Sequence, residues 1–330
     1  MKIIAIEEHL SYPPITQQLA KYMGKDAPYM ASSHVKGRPL EPDLTLFLDA
    51  GEARIHNMDQ HGIDMQILSC PVKSQLLPPE EAPSIVRETN DYFAEVVRNH
   101  PDRFGAFGLL PWSNVEEAVR ETERIKELGF HGVMLMGRAS AGPAFLDDQV
   151  FLPILEACNA LHLPIFIHPG APLQSVQEPY YGGLGEEVSA RLSLHGWGWH
   201  NEAGIQILRT ILAGRFQQFP NLQLIAGHWG EMVPFFLSRL DQSMPPVVTK
   251  LERTITETFR QHVYVTPSGM FDYPQLNFCV EVLGTDRIIH SVDCPFVSNA
   301  GAKDFIDRAP LTQEKKEKIA FRNAQRLFRL

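Results

Sequence analysis

Eight short runs of apolar, often β-branched residues recur along the chain, each separated from the next by a longer mixed segment. Most of these runs show no clean alternation, which is typical of parallel strands covered on both faces. Because parallel neighbours must be joined by a crossover, usually a helix, this pattern leaves few possible folds. We predict strands over residues 2–6, 63–69, 104–110, 131–136, 164–167, 222–226, 262–266 and 287–292.

The segments between the runs carry helical periodicity. In residues 84–100, one apolar stripe includes Ile85, Phe93 and Val97, with charged residues largely on the opposite side. Similar stripes cover residues 114–128, 202–217 and 312–328. Strands that alternate with helices predict an α/β fold, specifically a (β/α)₈ TIM barrel.

Two segments break the alternation. Residues 10–50 contain several prolines, among them Pro13, Pro14, Pro39 and Pro42, with little periodicity. Residues 169–200 are rich in glycine, tyrosine and tryptophan. We predict that both are loop insertions over the barrel mouth, where long loops shape binding pockets. No repeat or proline-rich linker divides the chain, so we predict a single domain over residues 1–330.

Composition excludes several classes of function. The net charge of −9 argues against a nucleic-acid or anionic-membrane partner. No apolar run approaches the roughly 20 residues that span a bilayer, and the apolar run at the N-terminus is too short for a signal peptide. The four cysteines lack metal-binding spacing and are typical of reduced thiols. We therefore expect a soluble cytoplasmic enzyme.

Metal-type side chains follow several of the predicted strands. Glu7 and His9 end the first, His168 follows the fifth, His228 the sixth and Asp293 the eighth. Each alone has an ordinary explanation, such as a histidine or aspartate that ends a strand. Together they indicate a divalent metal site, because the carboxyl ends of barrel strands meet at one rim.

Two glutamates flank this set. Glu8 lies between two of the candidate ligands and should point the opposite way, since neighbouring strand residues alternate faces. Glu231 follows His228 by three residues and could orient its imidazole. An ordinary carboxylate at the start of a helix is the alternative for Glu231.

Short motifs recur along almost the whole chain. They are E-E-H at 7–9, H-P-D-R-F at 100–104, L-G-F-H-G at 128–132, I-H-P at 167–169, G-H-W-G-E at 227–231, D-R-I-I-H-S-V-D at 286–293 and N-A-Q-R-L-F at 323–328. With these motifs the sequence resembles the amidohydrolase superfamily, in particular its metal-dependent decarboxylases of hydroxybenzoic acids. In hydrolytic members the first strand usually carries H-x-H, whereas this chain has E-x-H.

The resemblance implies that Glu7, His9, His168 and Asp293 bind one divalent metal, Zn²⁺ or Mn²⁺. One ion is expected because the fourth strand lacks the lysine that bridges two metals in binuclear relatives. The resemblance also implies a homodimer or homotetramer. This chain departs from the family in its long 10–50 segment and in having glycine, alanine and proline at 170–172.

The implied activity is non-oxidative loss of CO₂ from an ortho-hydroxybenzoate-type acid, a small aromatic substrate. Asp293 would protonate the ring carbon, and His228, held by Glu231, would stabilise charge on a substrate oxygen. The side chains expected to contact the substrate are Arg239, Phe296, Trp197, Trp199 and Tyr180. Arg239 could instead bridge subunits or lie on a solvated helix face, and Phe296 could instead belong to the core.

Two other functions are alternatives, and the first would use the same ligands. A metal-dependent hydrolase of a lactone or similar cyclic ester would use Asp293 as general base. A non-catalytic binding barrel would not need the metal. The E-x-H motif favours decarboxylation.

Overall fold

The computed structural model describes residues 1–33 and 40–330. Its centre is a parallel sheet of seven strands, in which each strand pairs with its neighbours along the chain. Every residue in six of the strands is buried, as expected for strands covered on both faces. The first seven predicted strands are confirmed, and with them a TIM-barrel-like α/β fold. The strands are β1 (Ile4–His9), β2 (Met65–Ser69), β3 (Phe104–Gly108), β4 (Gly132–Met136), β5 (Ile165–His168), β6 (Leu224–Ala226) and β7 (Val263–Val265).

The sheet curls around an apolar interior. One buried cluster takes a side chain from every strand, from Ile4 and Ile6 in β1 to Tyr264 in β7, and Phe328 near the C-terminus joins it. A larger cluster packs the outer face of the sheet against the helices. Since side chains from all seven strands meet in one cluster, the sheet must be rolled rather than open.

The eighth predicted strand, 287–292, is wrong as a strand. Within the described residues, this segment makes only isolated bridges, from Ile288 to Val265 in β7 and from Cys294 to Glu8 in β1. The Ile289 N–H donates to the Val265 carbonyl of β7 at 3.0 Å, but the His290 N–H donates to the Ile319 carbonyl, outside the sheet, at 3.0 Å. The segment nevertheless touches both edges of the sheet.

The helices match the predicted stripes, with two breaks. The predicted 202–217 helix divides at Gly214, whose φ of +70° ends the first part. The predicted 312–328 helix contains a π-helical turn at Lys318–Arg322. No helix in the described part of the chain has the length and apolar character needed to cross a membrane. The α-helices cover Pro13–Asp26, Met30–Ser33, Leu44–Leu48, Glu52–His61, Ala82–Asn99, Val115–Glu127, Leu152–Leu161, Gln174–Tyr181, Glu186–Ser193, Gly198–Leu212, Arg215–Gln218, Val233–Ser243, Pro246–Thr249, Ile255–His262, Tyr273–Leu283, Ala302–Asp307, Gln313–Glu317 and Asn323–Phe328.

The two segments predicted as loop insertions are largely helical. Residues 10–50 contain the helices Pro13–Asp26, Met30–Ser33 and Leu44–Leu48, although 34–39 lie outside the described residues. Proline in the first turn is compatible with a helix, because the missing N–H would have no partner there. Residues 169–200 likewise contain two eight-residue helices.

Candidate active site

A bulge in β1 decides which of its side chains face the site. Ile4 and Ile6 point into the barrel interior, and strict alternation would send Glu8 inward as well. The pairing of β1 with β2 shifts register between Ala5 and Glu8. Because of this bulge, Glu7 points inward at the carboxyl end of the strand, as bulges near active sites often re-aim a side chain.

Four of the predicted ligands come together at this end of the sheet. One ligand atom from each of Glu7, His9, His168 and Asp293 lies within 4.8 Å of the others. The His9 Nε2 atom is 3.0 Å from Asp293 Oδ1, and His168 Nε2 is 3.7 Å from Glu7 Oε1. The donors come from β1, from β5 and from the segment after Ile288.

The ligand atoms of these four side chains are chemically suited to bind a cation. Among the described residues, Glu7 Oε1, His9 Nε2 and Asp293 Oδ1 are buried and have no hydrogen-bond partner. Such atoms are costly unless something else satisfies them. Two imidazole nitrogens and two carboxylate oxygens that converge in this way match a divalent metal such as Zn²⁺ or Mn²⁺.

The candidate ligands are held in place by second contacts. Ser69 Oγ lies 3.1 Å from His9 Nδ1, and His168 Nδ1 lies 2.8 Å from the Pro169 carbonyl. The other oxygen of Glu7 accepts a hydrogen bond from Ser268. These contacts turn the remaining ligand atom of each side chain toward the shared centre.

Glu8 faces away from the centre, as predicted. It accepts a hydrogen bond from the Gln66 side chain and one from the Val292 N–H, both at 2.9 Å. The buried Arg54 also donates to Gln66 at 2.9 Å and to the His9 carbonyl. Glu8 therefore links β1 by hydrogen bonds to β2 and to the segment that carries Asp293.

His228 and Glu231 lie on a left-handed turn. Five consecutive residues, His228–Met232, have φ between +47° and +85°. Such a run is rare, because each non-glycine residue in this region costs free energy. The turn is held by hydrogen bonds from the His228 N–H to Ser268 Oγ, at 2.9 Å, and from the Trp229 N–H to the Thr266 carbonyl, at 2.7 Å.

Glu231 bridges two imidazoles. Its oxygens lie 2.9 Å from His228 Nδ1 and 2.8 Å from His200 Nδ1. Burial lowers the pKa of His228, but Glu231, Glu7 and Asp293 outweigh burial and raise that pKa to about 9. Burial raises the pKa of Glu231, but His228 and His200 together hold it below its ordinary value.

The carboxyl groups of the candidate ligands take up protons readily without a cation. Burial raises the pKa of Glu7 to about 8 and that of Asp293 to about 7, with His228 opposing both rises. Burial, with Arg54 and His228, lowers the pKa of His9 to about 3, and burial also holds the pKa of His168 well below its ordinary value. Both imidazoles are therefore neutral and able to coordinate at physiological pH.

An apolar cavity of about 420 Å³ opens onto these residues. Its size lies in the range of small-molecule sites. The cavity is lined at one end by His168, His228 and Asp293 and elsewhere mainly by apolar side chains from both predicted insertions. A small aromatic ring could therefore lie in apolar surroundings with its polar groups at the candidate ligands.

Two of the five side chains predicted to contact substrate line the cavity. They are Phe296, whose ring is 5.6 Å from that of His9, and Trp199. Tyr180 and Trp197 are 68% and 48% exposed, and Arg239 is exposed on its helix. The structure does not place these three among the lining residues, because each lies on the solvent side of its helix or turn.

Several site residues escaped the sequence analysis. Ser268 connects Glu7 to His228, and His200 provides the second imidazole on Glu231. The lining residues Lys73 and His195 were also missed. Ser268 lies three residues after β7, just past the predicted strand end at 266, so the strand-end rule that identified the ligands could have found it. The others lie on connecting segments without such a signal.

The family predicted from the sequence is confirmed. Residues 47–330 match the family described as Amidohydrolase, and the chain belongs to it. A γ-resorcylate decarboxylase from Polaromonas sp. strain JS666 is 32% identical, over 99% of this chain and 98% of the relative.

Solved structures support the same relationship. The 5-carboxyvanillate decarboxylase from Sphingomonas paucimobilis superposes with a TM-score of 0.89 at 30% identity, covering 100% of this chain and 99% of the other. The dihydroxybenzoic acid decarboxylase from Polaromonas sp. JS666, which holds manganese and the inhibitor 2-nitroresorcinol, gives a TM-score of 0.84 at 32% identity, with 100% and 97% covered.

Proposed function

We propose that this chain is a metal-dependent, non-oxidative decarboxylase that releases CO₂ from ortho-hydroxybenzoate-type acids. The observation that carries the proposal is the convergence of Glu7, His9, His168 and Asp293 at one end of an apolar cavity. The relatives named above are decarboxylases of hydroxylated benzoic acids over essentially the full chain. They do not favour the lactone hydrolase.

One divalent ion would be held by these four side chains. When bound, it supplies a Lewis acid and a template for the carboxylate and the adjacent hydroxyl of the substrate. Manganese in the Polaromonas structure supports Mn²⁺ for this chain, and the two-histidine, two-carboxylate set also suits Zn²⁺.

Asp293 is the proposed proton donor. Direct loss of CO₂ would leave an unstable aryl carbanion, so a proton must first reach the ring carbon that bears the carboxylate. The new C–H bond interrupts the aromatic system. The C–C bond then breaks, and its electron pair restores the ring. Asp293 lines the cavity, where burial raises the pKa of its carboxyl group and a bound cation would lower it, so we propose that Asp293 takes up this proton as substrate binds.

His228 is placed to stabilise negative charge on a substrate oxygen. Its ring lines the cavity, its Nε2 lies 4.0 Å from Asp293 Oδ2, and Glu231 fixes its other nitrogen. A protonated imidazole in an apolar pocket would favour an oxyanion strongly. Phe296 and Trp199 would pack against the ring and exclude water.

The direct test is CO₂ release by purified protein loaded with Mn²⁺ or Zn²⁺. A panel of ortho-hydroxybenzoates should give CO₂ and the corresponding phenols, and metal-stripped protein should give neither. Lactone opening is assayed in parallel. Opening of a lactone without CO₂ release from any acid would overturn the proposal, and equal activity with and without metal would remove the role of the ion.

Three finer features complete the proposal. The segment at Ile288–Cys294 occupies the eighth position between β7 and β1 and closes a (β/α)₈ barrel, supported by its bridges to both strands. This barrel comprises the single domain 1–330.

A homodimer or homotetramer is supported by the exposed side chains of Phe235, Phe236 and Val247 and is tested by light scattering. Four free, buried cysteines support a cytoplasmic location.

A further inference from the structure

Lys73 brings an ammonium group to the wall of the cavity. Lys73 lies after β2 and is only 3% exposed to solvent. It lines the same cavity as His168 and Asp293. Its Nζ atom lies 2.5 Å from Asp26 Oδ2, at the end of the helix Pro13–Asp26. Among the described lining residues, Lys73 is the one lysine or arginine.

The Lys73 side chain packs against two glycines, Gly137 and Gly170, which leave room for it because they lack a Cβ atom. A Cβ atom on Gly170 would lie 2.6 Å from the Gly137 Cα atom and 3.0 Å from Lys73 Cε. A Cβ atom on Gly137 would lie 3.4 Å from the same lysine carbon. Gly170 follows the candidate ligand His168 by two residues, so the lysine is held beside β5 at the carboxyl end of the sheet.

The charges around Lys73 are balanced. Asp26 also lies 3.9 Å from Arg138 Nη2, and Arg138 Nη1 donates to Glu202 at 3.0 Å. Arg138 is further occupied by the carbonyls of Ala171 and Gly142 and does not line the cavity. Between Lys73 and Arg138, Lys73 is therefore the cation available to a molecule bound in the cavity.

The Lys73 ammonium has more N–H donors than hydrogen-bond acceptors around it. An ammonium carries three N–H groups. Within the described part of the chain, Asp26 is the one hydrogen-bond acceptor that Lys73 meets. Buried donors without acceptors are costly, and a buried cation beside an otherwise apolar cavity is a recognition group for an acceptor on the ligand.

We propose that Lys73 is a substrate-positioning residue that binds an oxygen substituent on the ring, in addition to the reacting carboxylate and its ortho hydroxyl. This inference rests on the proposed function. The substrate class is thereby narrowed to ortho-hydroxybenzoates with a further hydroxyl or carboxylate group. Because Asp26 neutralises the ammonium, a neutral hydroxyl and an anionic carboxylate will respond differently when Asp26 is changed.

The experiment measures dissociation constants of three unreactive probes by calorimetry with Mn²⁺-loaded protein. The probes are 2-nitrophenol, 2-nitroresorcinol, which adds a hydroxyl, and 4-hydroxy-3-nitrobenzoate, which adds a carboxylate. Lys73→Met should weaken at least one of the two oxygen-bearing probes about 10- to 100-fold, the effect of losing a hydrogen bond to a charged group. The loss for 2-nitrophenol should be at most about threefold by the same scale. Lys315→Met, at an exposed lysine, is the control.

Asp26→Asn identifies the substituent and separates binding from a structural role. If the substituent is a carboxylate, this variant should bind the nitrobenzoate more tightly; if it is a hydroxyl, 2-nitroresorcinol alone should respond to Lys73→Met. Equal weakening of all three probes in both variants, with a lower melting temperature, would show that the pair only fastens the helix and would overturn the inference. Binding of 2-nitrophenol with no effect of Lys73→Met on either larger probe would overturn it alone. If no probe binds the loaded wild type, the proposed function fails as well.

Discussion

Asp293 has two tasks in the proposed reaction, as a ligand of the cation and as the donor of the proton. Its Oδ1 atom faces His9 Nε2 at 3.0 Å, whereas Oδ2 lies 4.0 Å from His228 Nε2. The two oxygens therefore face different neighbours. One oxygen can coordinate while the other exchanges a proton near the substrate.

Asp293→Asn should remove turnover and retain part of the metal binding. An amide keeps an oxygen for the cation but cannot donate a carboxyl proton, so we expect kcat to fall about 10²- to 10⁴-fold at saturating Mn²⁺. CO₂ release and metal content are measured together. Asp304→Asn, at a side chain that is 64% exposed, is the matched control and should behave as wild type. Near-normal turnover by metal-saturated Asp293→Asn would contradict the assignment.

Metal affinity should rise with pH. In the metal-free protein the pKa of Glu7 is about 8 and that of Asp293 about 7, and a cation binds their deprotonated forms. Binding below pH 7 must therefore displace protons, so affinity should increase steeply from pH 6 to about 8 and more gradually above.

Calorimetry in two buffers of different ionisation enthalpy checks this dependence. Proton release on metal binding should be larger at pH 6.5 than at pH 8.5. His9 has a pKa of about 3 and adds nothing to the slope in this range. An affinity that does not vary between pH 6 and 8 would mean that the carboxyl groups are already ionised.

Ser268→Ala should weaken metal binding through Glu7. The hydroxyl donates to Glu7 Oε2 and accepts from the His228 N–H, so its loss frees a ligand and loosens the turn. Loss of such a supporting contact typically costs about 10- to 100-fold in metal affinity. Ser84→Ala, on the exposed face of the helix Ala82–Asn99, is the control. An unchanged dissociation constant for Mn²⁺ would show that the serine is dispensable.

At the level of elements, the left-handed turn at His228–Met232 is the most unusual feature of the site. Glycine is required at position 230 for two reasons. Its φ is +85°, and a Cβ atom there would lie 2.8 Å from Pro234 Cγ and 2.9 Å from Val265 Cγ1. Gly227 is also confined, since its Cβ would lie 2.9 Å from Ser268 Oγ. The spacing of G-H-W-G-E thus follows from the close packing of the turn on β7.

Gly230→Ala should destabilise the protein by about 2 to 5 kcal/mol, the sum of a left-handed non-glycine residue and overpacking. Gly129→Ala is a matched control, because Gly129 has φ of +82° with no atom near its absent side chain. The control should therefore cost only about 1 to 2 kcal/mol. Urea unfolding measures both. Equal losses would show that the contacts with Pro234 and Val265 relax without cost.

The sequence was sufficient for the first seven strands and for the positions of the metal-type residues, since both depend on local patterns. The eighth segment was misjudged because its apolar run looks like a strand. It pairs with the sheet only at isolated bridges, and its Val292 and His290 N–H groups bond instead to the Glu8 carboxylate and to the Ile319 carbonyl. The bulge in β1 could not be foreseen either, because it depends on the register with β2.

For the whole molecule, the proposed chemistry depends on residues nearly 290 positions apart meeting at one rim. The rolled sheet brings Glu7 beside Asp293, and helices from both insertions cover the cavity above them. The sequence predicted this rim because parallel strands end together. It could not show which insertion side chains reach the cavity: Trp199 does, whereas Trp197, two residues earlier, is half exposed.

Anomalous diffraction at the manganese edge, from crystals grown with Mn²⁺, tests the proposed metal centre most directly. We expect one peak per chain, in contact with Glu7, His9, His168 and Asp293. A peak elsewhere, or protein that crystallises with Mn²⁺ but shows no density among these four side chains, would contradict the assignment of the metal centre and with it the proposed decarboxylation.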